Sequence, residues 1–226
     1  MAVKSYNPFM YPFSKQGLIN IVTIIIIFLV SSFLSVFTSF MFLGFVLRLL
    51  LNLIAFGYFF MYLNLCIVDS SDGGLVAPDT TPGSGGMGDL VEELKWGVLP
   101  IVACLLPVFL YTVFSEHPVR GVFLILFFAG IFVYPMLSLR TAMFRHVSAF
   151  NPVAILFNII RFFPGYISLV VAIAVAFVPV VATVYISDRN PIASLLVMPW
   201  FLYGCIVLSH LIGRFYFNRK DKLDWD

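Results

Sequence analysis

Long apolar runs, broken by short polar clusters, set the pattern of this chain. Residues 18–68 carry one charge, Arg48. A helix crosses a bilayer core with about 20 apolar residues, so this run is too long for one crossing and suits two. Ser, Thr and Gly collect at 37–44, and the pattern places a turn there, between spans at about 17–36 and 43–67. Residues 69–95 are polar, with Gly73-Gly74, Pro78-Asp79, Pro82 and a glycine-rich run at 83–88, which is loop chemistry. Its end, 89–96, reads as the start of a helix leading into a third span at about 97–115, closed by Glu116-His117-Pro118. A fourth span follows at about 121–138, then a basic connector with Arg140, Arg145 and His146.

Asn151-Pro152 opens a short segment, 152–163. Asn suits a helix N-cap and Pro its first turn. Arg161 interrupts its apolar face, so the segment is expected to lie in the membrane interface, ended by Pro164-Gly165. A fifth span at about 166–186, a polar turn at 187–191, a sixth span at about 192–213 and a charged, soluble tail complete the chain.

Composition turns this pattern into a fold class. Hydrophobic residues make up 62% of the 226, charged residues 11%, and the mean hydropathy is +1.05. An ordinary soluble domain is about half apolar and a quarter charged. Too few charges are present to cover a water-facing surface of this size. The expectation is an all-α integral membrane protein, one polytopic domain over 1–226, with about six transmembrane helices and one interfacial helix. A soluble enzyme and a disordered chain are excluded, and a net charge of +2 is too small to suggest nucleic acid. Cys66, Cys104 and Cys205 stand singly in apolar runs, as packed thiols do. The first apolar run is too long for a signal-peptide core and lacks a small-x-small cleavage site, so it is expected to stay as a span. No lipidation motif is read at either end.

Six spans put both termini on one side. Ten of the 13 Lys and Arg residues fall on that side; Arg48, Arg120 and Arg189 fall on or near the other. The positive-inside rule makes the side of the termini cytoplasmic, which also places the acidic loop there.

Several short motifs punctuate this frame: Tyr11-Pro12-Phe13 before the first span, Gly57-Tyr58 in the second, Pro78-Asp79 in the acidic loop, and Asn151-Pro152 ahead of Pro164-Gly165-Tyr166. In these the chain resembles a bacterial polytopic membrane family classed as a domain of unknown function, itself loosely similar to Yip-type and glycerophosphodiesterase-associated membrane domains. The resemblance covers about residues 8–215. It implies a six-helix inner-membrane bundle and carries over no catalytic residue. The family's loop is richer in Trp and Asp, where this chain has Thr80-Thr81-Pro82.

Candidate chemistry is sparse. Gly83, Gly85 and Gly88 fit G-x-G-x-x-G literally, but the run sits in an acidic loop rather than between a strand and a helix, and reads as linker. The loop's six acids lack calcium-loop spacing, so they read as a solvated face or a dock for a basic partner. Asp79, Asp89, Glu92 and Glu93 are the candidate partner-binding residues. Arg48 joins them as an inter-helix or inter-subunit anchor, if it does not simply snorkel. His210, late in the sixth span, reads as a hydrogen-bonded structural histidine before a haem or pigment ligand; His117 and His146 lie in connectors on opposite sides.

The spans as placed hold no Asp or Glu, which argues against ion-coupled transport. Pro100, Pro107, Pro135, Pro179 and Pro199 fall inside spans as kinks. Ser31, Ser35 and Ser39, and Ala172 with Ala176, form small-residue stripes for close helix contact. Tyr6, Phe9, Tyr11, Phe13, Trp96, Tyr216 and Trp225 are expected in an interfacial aromatic belt.

Neither the H-E-x-x-H nor the G-x-S-x-G motif occurs. The reading is therefore a non-catalytic accessory or scaffold subunit of the bacterial inner membrane, without cofactor or metal. It would bind lipids and dock other integral membrane proteins or its own copies. A carrier or permease-like protein for lipid or an apolar solute is the alternative.

Overall fold

The computed structural model describes residues 7–37, 42–80, 87–115, 119–187 and 191–222. Lipid offers no partner to backbone amides and carbonyls, so an apolar chain must satisfy them within helices. The described residues accordingly form helices and connecting turns without any strand. A short 3₁₀ segment (Pro8–Phe13) precedes α1 (Lys15–Phe37), α2 (Phe42–Ser71), α3 (Met87–Phe114), α4 (Arg120–Phe144), α5 (Pro152–Arg161), α6 (Phe163–Ser187) and α7 (Pro191–Phe217). All but α5 are long and apolar enough to cross a membrane. The protein is an all-α, multi-pass membrane protein.

Helices α2 and α7 form the centre and pack on each other. Around them, α1 and α3 lean on α2, α6 leans on α7, and α4 pairs with α3. Half of the spanning window of α2 is buried, against 11% of that of α6. One core cluster joins Tyr11, Ile24, Tyr62, Cys66 and Ile206; a second joins Met136, Leu139, Ile159, Tyr166 and Ile212. Both draw on α2 and α7, so that pair ties the bundle together. The contact is close at Gly213, where an added Cβ would run into the Ile67 carbonyl, the Ser70 Cβ and the Ser71 amide.

The six spans stand where the apolar runs put them, but four of their ends move. Helix α2 continues to Ser71 and takes in Asp69. It stops in a Schellman turn: the Gly74 and Gly73 amides donate to the Asp69 and Ser70 carbonyls, and Gly73 adopts φ 102°, where glycine carries no Cβ penalty. Helix α4 runs to Phe144, so Arg140 belongs to a helix rather than to the connector. Its guanidinium folds back onto the Ala149 and Ser148 carbonyls at 3.1 and 3.3 Å. Pro164-Gly165 does not break the chain; the break is at Phe162, and both residues sit in the first turn of α6, where a missing amide proton costs nothing. Helix α7 runs one turn past its expected end and includes Arg214. Helix α3 begins at Met87, so the acidic segment is helical as expected.

Helix α5 is amphipathic. Asn151 Oδ1 caps it by accepting from the Val153 and Ala154 amides. Ile155, Asn158 and Ile159 face inward, while Val153, Leu156, Phe157 and Ile160 are exposed. The five span prolines all lie inside helices. Of the small-residue stripes, Ser31 is buried and donates to Asn52 Oδ1 at 2.8 Å, and Ala176 is buried. Ser39 and the side chain of Ser35 lie outside the described residues, as do the centre of the first turn, Glu116-His117-Pro118, Asp188-Arg189-Asn190, Tyr6 and Trp225.

Candidate functional site

Polar side chains gather at one end of the bundle, where the 3₁₀ segment, the end of α2, the start of α3, the end of α4 and the end of α7 meet. Three linked sets make up this layer.

The first holds the N-terminal segment. His210 is fully buried, and its Nδ1 lies 2.6 Å from Ser70 Oγ. The Tyr11 ring stacks on its imidazole at 3.9 Å, and the Tyr11 hydroxyl donates to Asp69 Oδ2 at 3.4 Å. Burial pushes the Tyr11 phenol up from its ordinary value, so it remains a donor at any ordinary pH. Tyr203 donates to the Phe9 carbonyl at 3.1 Å and fixes the same segment from α7. The histidine is thus built in as a structural group. Replacing Tyr11 by Ala is expected to release residues 8–13 locally, read as amide exchange that becomes faster there than in the rest of the bundle.

The second set pins the loop after α2. Asn20 is buried on α1. Its Oδ1 accepts from Tyr58 Oη at 2.9 Å and from Thr80 Oγ1 at 2.5 Å, and its Nδ2 donates to the Pro78 carbonyl at 3.4 Å.

The third set joins α2, α3 and α4. Glu93 accepts from Asn64 Nδ2 at 2.9 Å and pairs with Arg145 at 2.5 Å. Arg145 ends α4 in a left-handed conformation, φ 47°, unusual for a residue with a Cβ. Beside it, Trp96 Nε1 donates to Glu92 Oε1 at 3.4 Å, and Lys95 Nζ lies 4.5 Å from the Trp96 ring centroid.

The four candidate acids therefore do not share one face. Asp79, Asp89 and Glu92 are exposed, the last two three residues apart on the first turns of α3. Glu93 is buried against Asn64 and Arg145 rather than exposed, and with Asp69, Asp89 and Glu92 it is an acid within a helix long enough to span, which corrects the expectation that the spans hold none. The phase of α3 turns it onto the end of α4, where Arg145 and Asn64 meet its charge. The Arg48 side chain lies outside the described residues, and so does most of the Gly83–Gly88 run. Tyr11 and Trp96 are also corrected: both are buried in the fold rather than standing in an aromatic belt, because each finds a protein partner for its polar tip. Phe13 is exposed as expected.

His146 caps the turn after α4, its Nδ1 accepting from the Ser148 amide at 3.2 Å. Cys66, Cys104 and Cys205 are buried free thiols. Among the described residues, no group of three or more His, Cys, Asp or Glu is placed to hold a metal ion.

The residues that build the layer but escaped the sequence reading are Asn20, Asn64 and Ser70; Tyr58 and Thr80 stood in its motifs without a role in the layer. Asn20 and Asn64 had a signal, since an amide in an apolar run must find a partner in the fold.

Larger hollows lie along the flank of the bundle. A groove of about 450 Å³ runs between α2 and α3, lined by Leu49, Asn52, Leu53, Phe56, Leu94 and Val98. Two of about 230 and 200 Å³ lie on either side of the α3–α4 contact at Gly130, where an added Cβ would meet the Cys104 carbonyl. Compared with known proteins, the chain matches no family model, no curated protein and no solved structure.

Proposed function

We propose that this protein is a non-catalytic accessory or scaffold subunit of a bacterial inner membrane, docking other integral membrane proteins, with both termini cytoplasmic. The single observation that carries the reading is the apolar flank. Grooves of 450, 230 and 200 Å³ open sideways between α2, α3 and α4, inside the spanning segments. Lipid tails are as apolar as leucine, so helices associate in a bilayer through shape, and grooves between helices provide that shape. The polar layer supports the same reading. Its side chains bond across helix ends and hold the helices in register, so the flank is presented by a rigid frame. The excess of Lys and Arg at the same end supports its cytoplasmic placement, and the six-helix bundle implied by the family resemblance is the setting.

The same grooves favour a second reading, a carrier for lipid or an apolar solute, since an acyl chain fits an apolar groove such as the one lined by Pro107. Isolation of the tagged chain in lipid nanodiscs separates the two. The scaffold reading expects a large particle of fixed protein stoichiometry by mass spectrometry. A lone monomer with a defined lipid supports the carrier.

Exposed Asp79, Asp89 and Glu92 are the acids left for contact with a basic partner. The triple variant Asp79→Asn, Asp89→Asn, Glu92→Gln is expected to lower partner recovery several-fold at low salt, with a melting temperature near that of the wild type. Unchanged recovery removes the acids from the proposal.

A further inference from the structure

A small, partly enclosed pocket lies where α2, α3, α4 and α7 meet, behind the polar layer. Its volume is about 20 Å³, and Asn64, Trp96, Tyr134, Ser138, Thr141 and Ser209 supply its polar lining. A hydrogen-bonded water needs roughly 10–15 Å³ of such space and two to four polar partners. The pocket meets both conditions.

Ser138 decides the matter. It is 6% exposed and lines the pocket, and its Oγ is left without a well-formed hydrogen bond, with the Tyr134 hydroxyl, one turn back and lining the same pocket, as a polar neighbour. A serine inside a helix ordinarily bonds back to a carbonyl of the preceding turn. Thr141, one turn on, does so: its hydroxyl donates to the Leu137 and Ser138 carbonyls at 3.0 Å each. That leaves the Thr141 oxygen able to accept. Asn64 spends its amide nitrogen on Glu93, which leaves its carbonyl oxygen able to accept as well. An unsatisfied hydroxyl deep in a bilayer-embedded bundle is costly, and the neighbouring groups are those that a water could join.

We propose that this pocket is a hydration site that holds one ordered water molecule, bonded to Ser138 Oγ and to Asn64 Oδ1, with Thr141 Oγ1 able to join. The water is the inner member of a polar file, Arg145–Glu93–Asn64–water–Ser138. The file begins at the membrane-surface end, where direct bonds already join α2, α3 and the end of α4, and the water extends it inward by bridging Asn64 on α2 to Ser138 on α4. This assignment is independent of the scaffold reading and holds for either function.

Two measurements on the full chain in nanodiscs test it. A structure that resolves ordered solvent is expected to show one peak within hydrogen-bond distance of Ser138 Oγ. An empty pocket, or a Ser138 hydroxyl turned back onto its own helix, overturns the proposal. The variant Ser138→Ala supplies the sign. With a bound water, losing the hydroxyl strips that water of a partner, and the melting temperature falls by about 2–4 °C, the scale of one lost hydrogen bond in a chain of this length. Without a water, alanine relieves an unsatisfied group and the melting temperature stays or rises, which overturns the proposal. Melting of the wild type is expected to be the same in sodium and in choline salts. A sodium-dependent rise would assign the pocket to a cation instead and equally overturn the water.

Discussion

Gly213→Leu is expected to separate the central helix pair and to give the larger of the two main losses of stability. The glycine lets α7 approach α2 until backbone meets backbone. The obstacles to a Cβ there are the Ile67 carbonyl and the Ser71 amide, neither of which can swing away as a side-chain tip could. Overpacking ordinarily costs about 1–3 kcal/mol, and more when the backbone itself must move. Both core clusters depend on this pair, so the strain is felt on either side of it. Thermal unfolding of the purified variant in nanodiscs is expected to begin about 10 °C lower, taking about 2–4 °C for each kcal/mol. Gly121→Ala is the control. Nothing lies within 4 Å of a Cβ at that position, and the variant is expected to melt within a few degrees of the wild type. A Gly213→Leu protein that melts with the control would show that α2 and α7 do not form the central contact.

Glu93→Ala is expected to be the second large effect, and its conservative partner separates the causes. The carboxylate is buried and answers both Asn64 and Arg145. The Arg145 side chain is 43% exposed, so the ion pair itself is screened and contributes at most about 1 kcal/mol. The bond from Asn64 to a charged acceptor is the stronger element, about 1.5–3 kcal/mol. Alanine removes both and strands a buried amide donor. The expected cost is about 2–4 kcal/mol, or about 5–10 °C in melting temperature. Glu93→Gln keeps an acceptor for Asn64 and loses only the ion pair, so it is expected to fall by only about 1–3 °C. Equal losses in the two variants would place the stabilisation in the charge rather than in the hydrogen bond.

The contrast between Glu92 and Glu93 shows how far the residues alone could be read. They are neighbours of one type in one acidic stretch, yet one is exposed and the other buried. Only the rotation of α3 relative to the end of α4 distinguishes them, and that rotation is a property of packing. The six spans were legible because an apolar run of about 20 residues admits few alternatives in lipid. The cap of α5 was legible because Asn151 and Pro152 act within their own turn. The ends of α2 and α4 were not. The Gly73 carbonyl at the end of α2 takes its side-chain donor from Arg214 at 3.5 Å, 141 positions away, and Arg140 bends over a turn that its own helix must first reach. Tyr11 and Trp96 misled for a related reason. An amphipathic ring suits a headgroup region and a buried hydrogen bond equally well, and the choice belongs to its partners. Asn20 and Asn64 announced that polar partners were required without naming them.

The bond between Ser70 and His210 joins residues 140 positions apart, one in the second spanning helix and one in the seventh helix. Ribosomes add about 5–20 residues each second, so Ser70 waits on the order of ten seconds for its lasting companion. Throughout that interval the nascent chain holds Ser70 at the membrane without His210, although Tyr11, the partner of Asp69, is already made and Glu93 reaches Asn64 after 29 residues. Assembly of this protein is therefore a problem of timing as well as of packing. Whatever shelters α2 during translation, whether the insertion machinery or α3 and α4 folding early, must give way when α7 emerges.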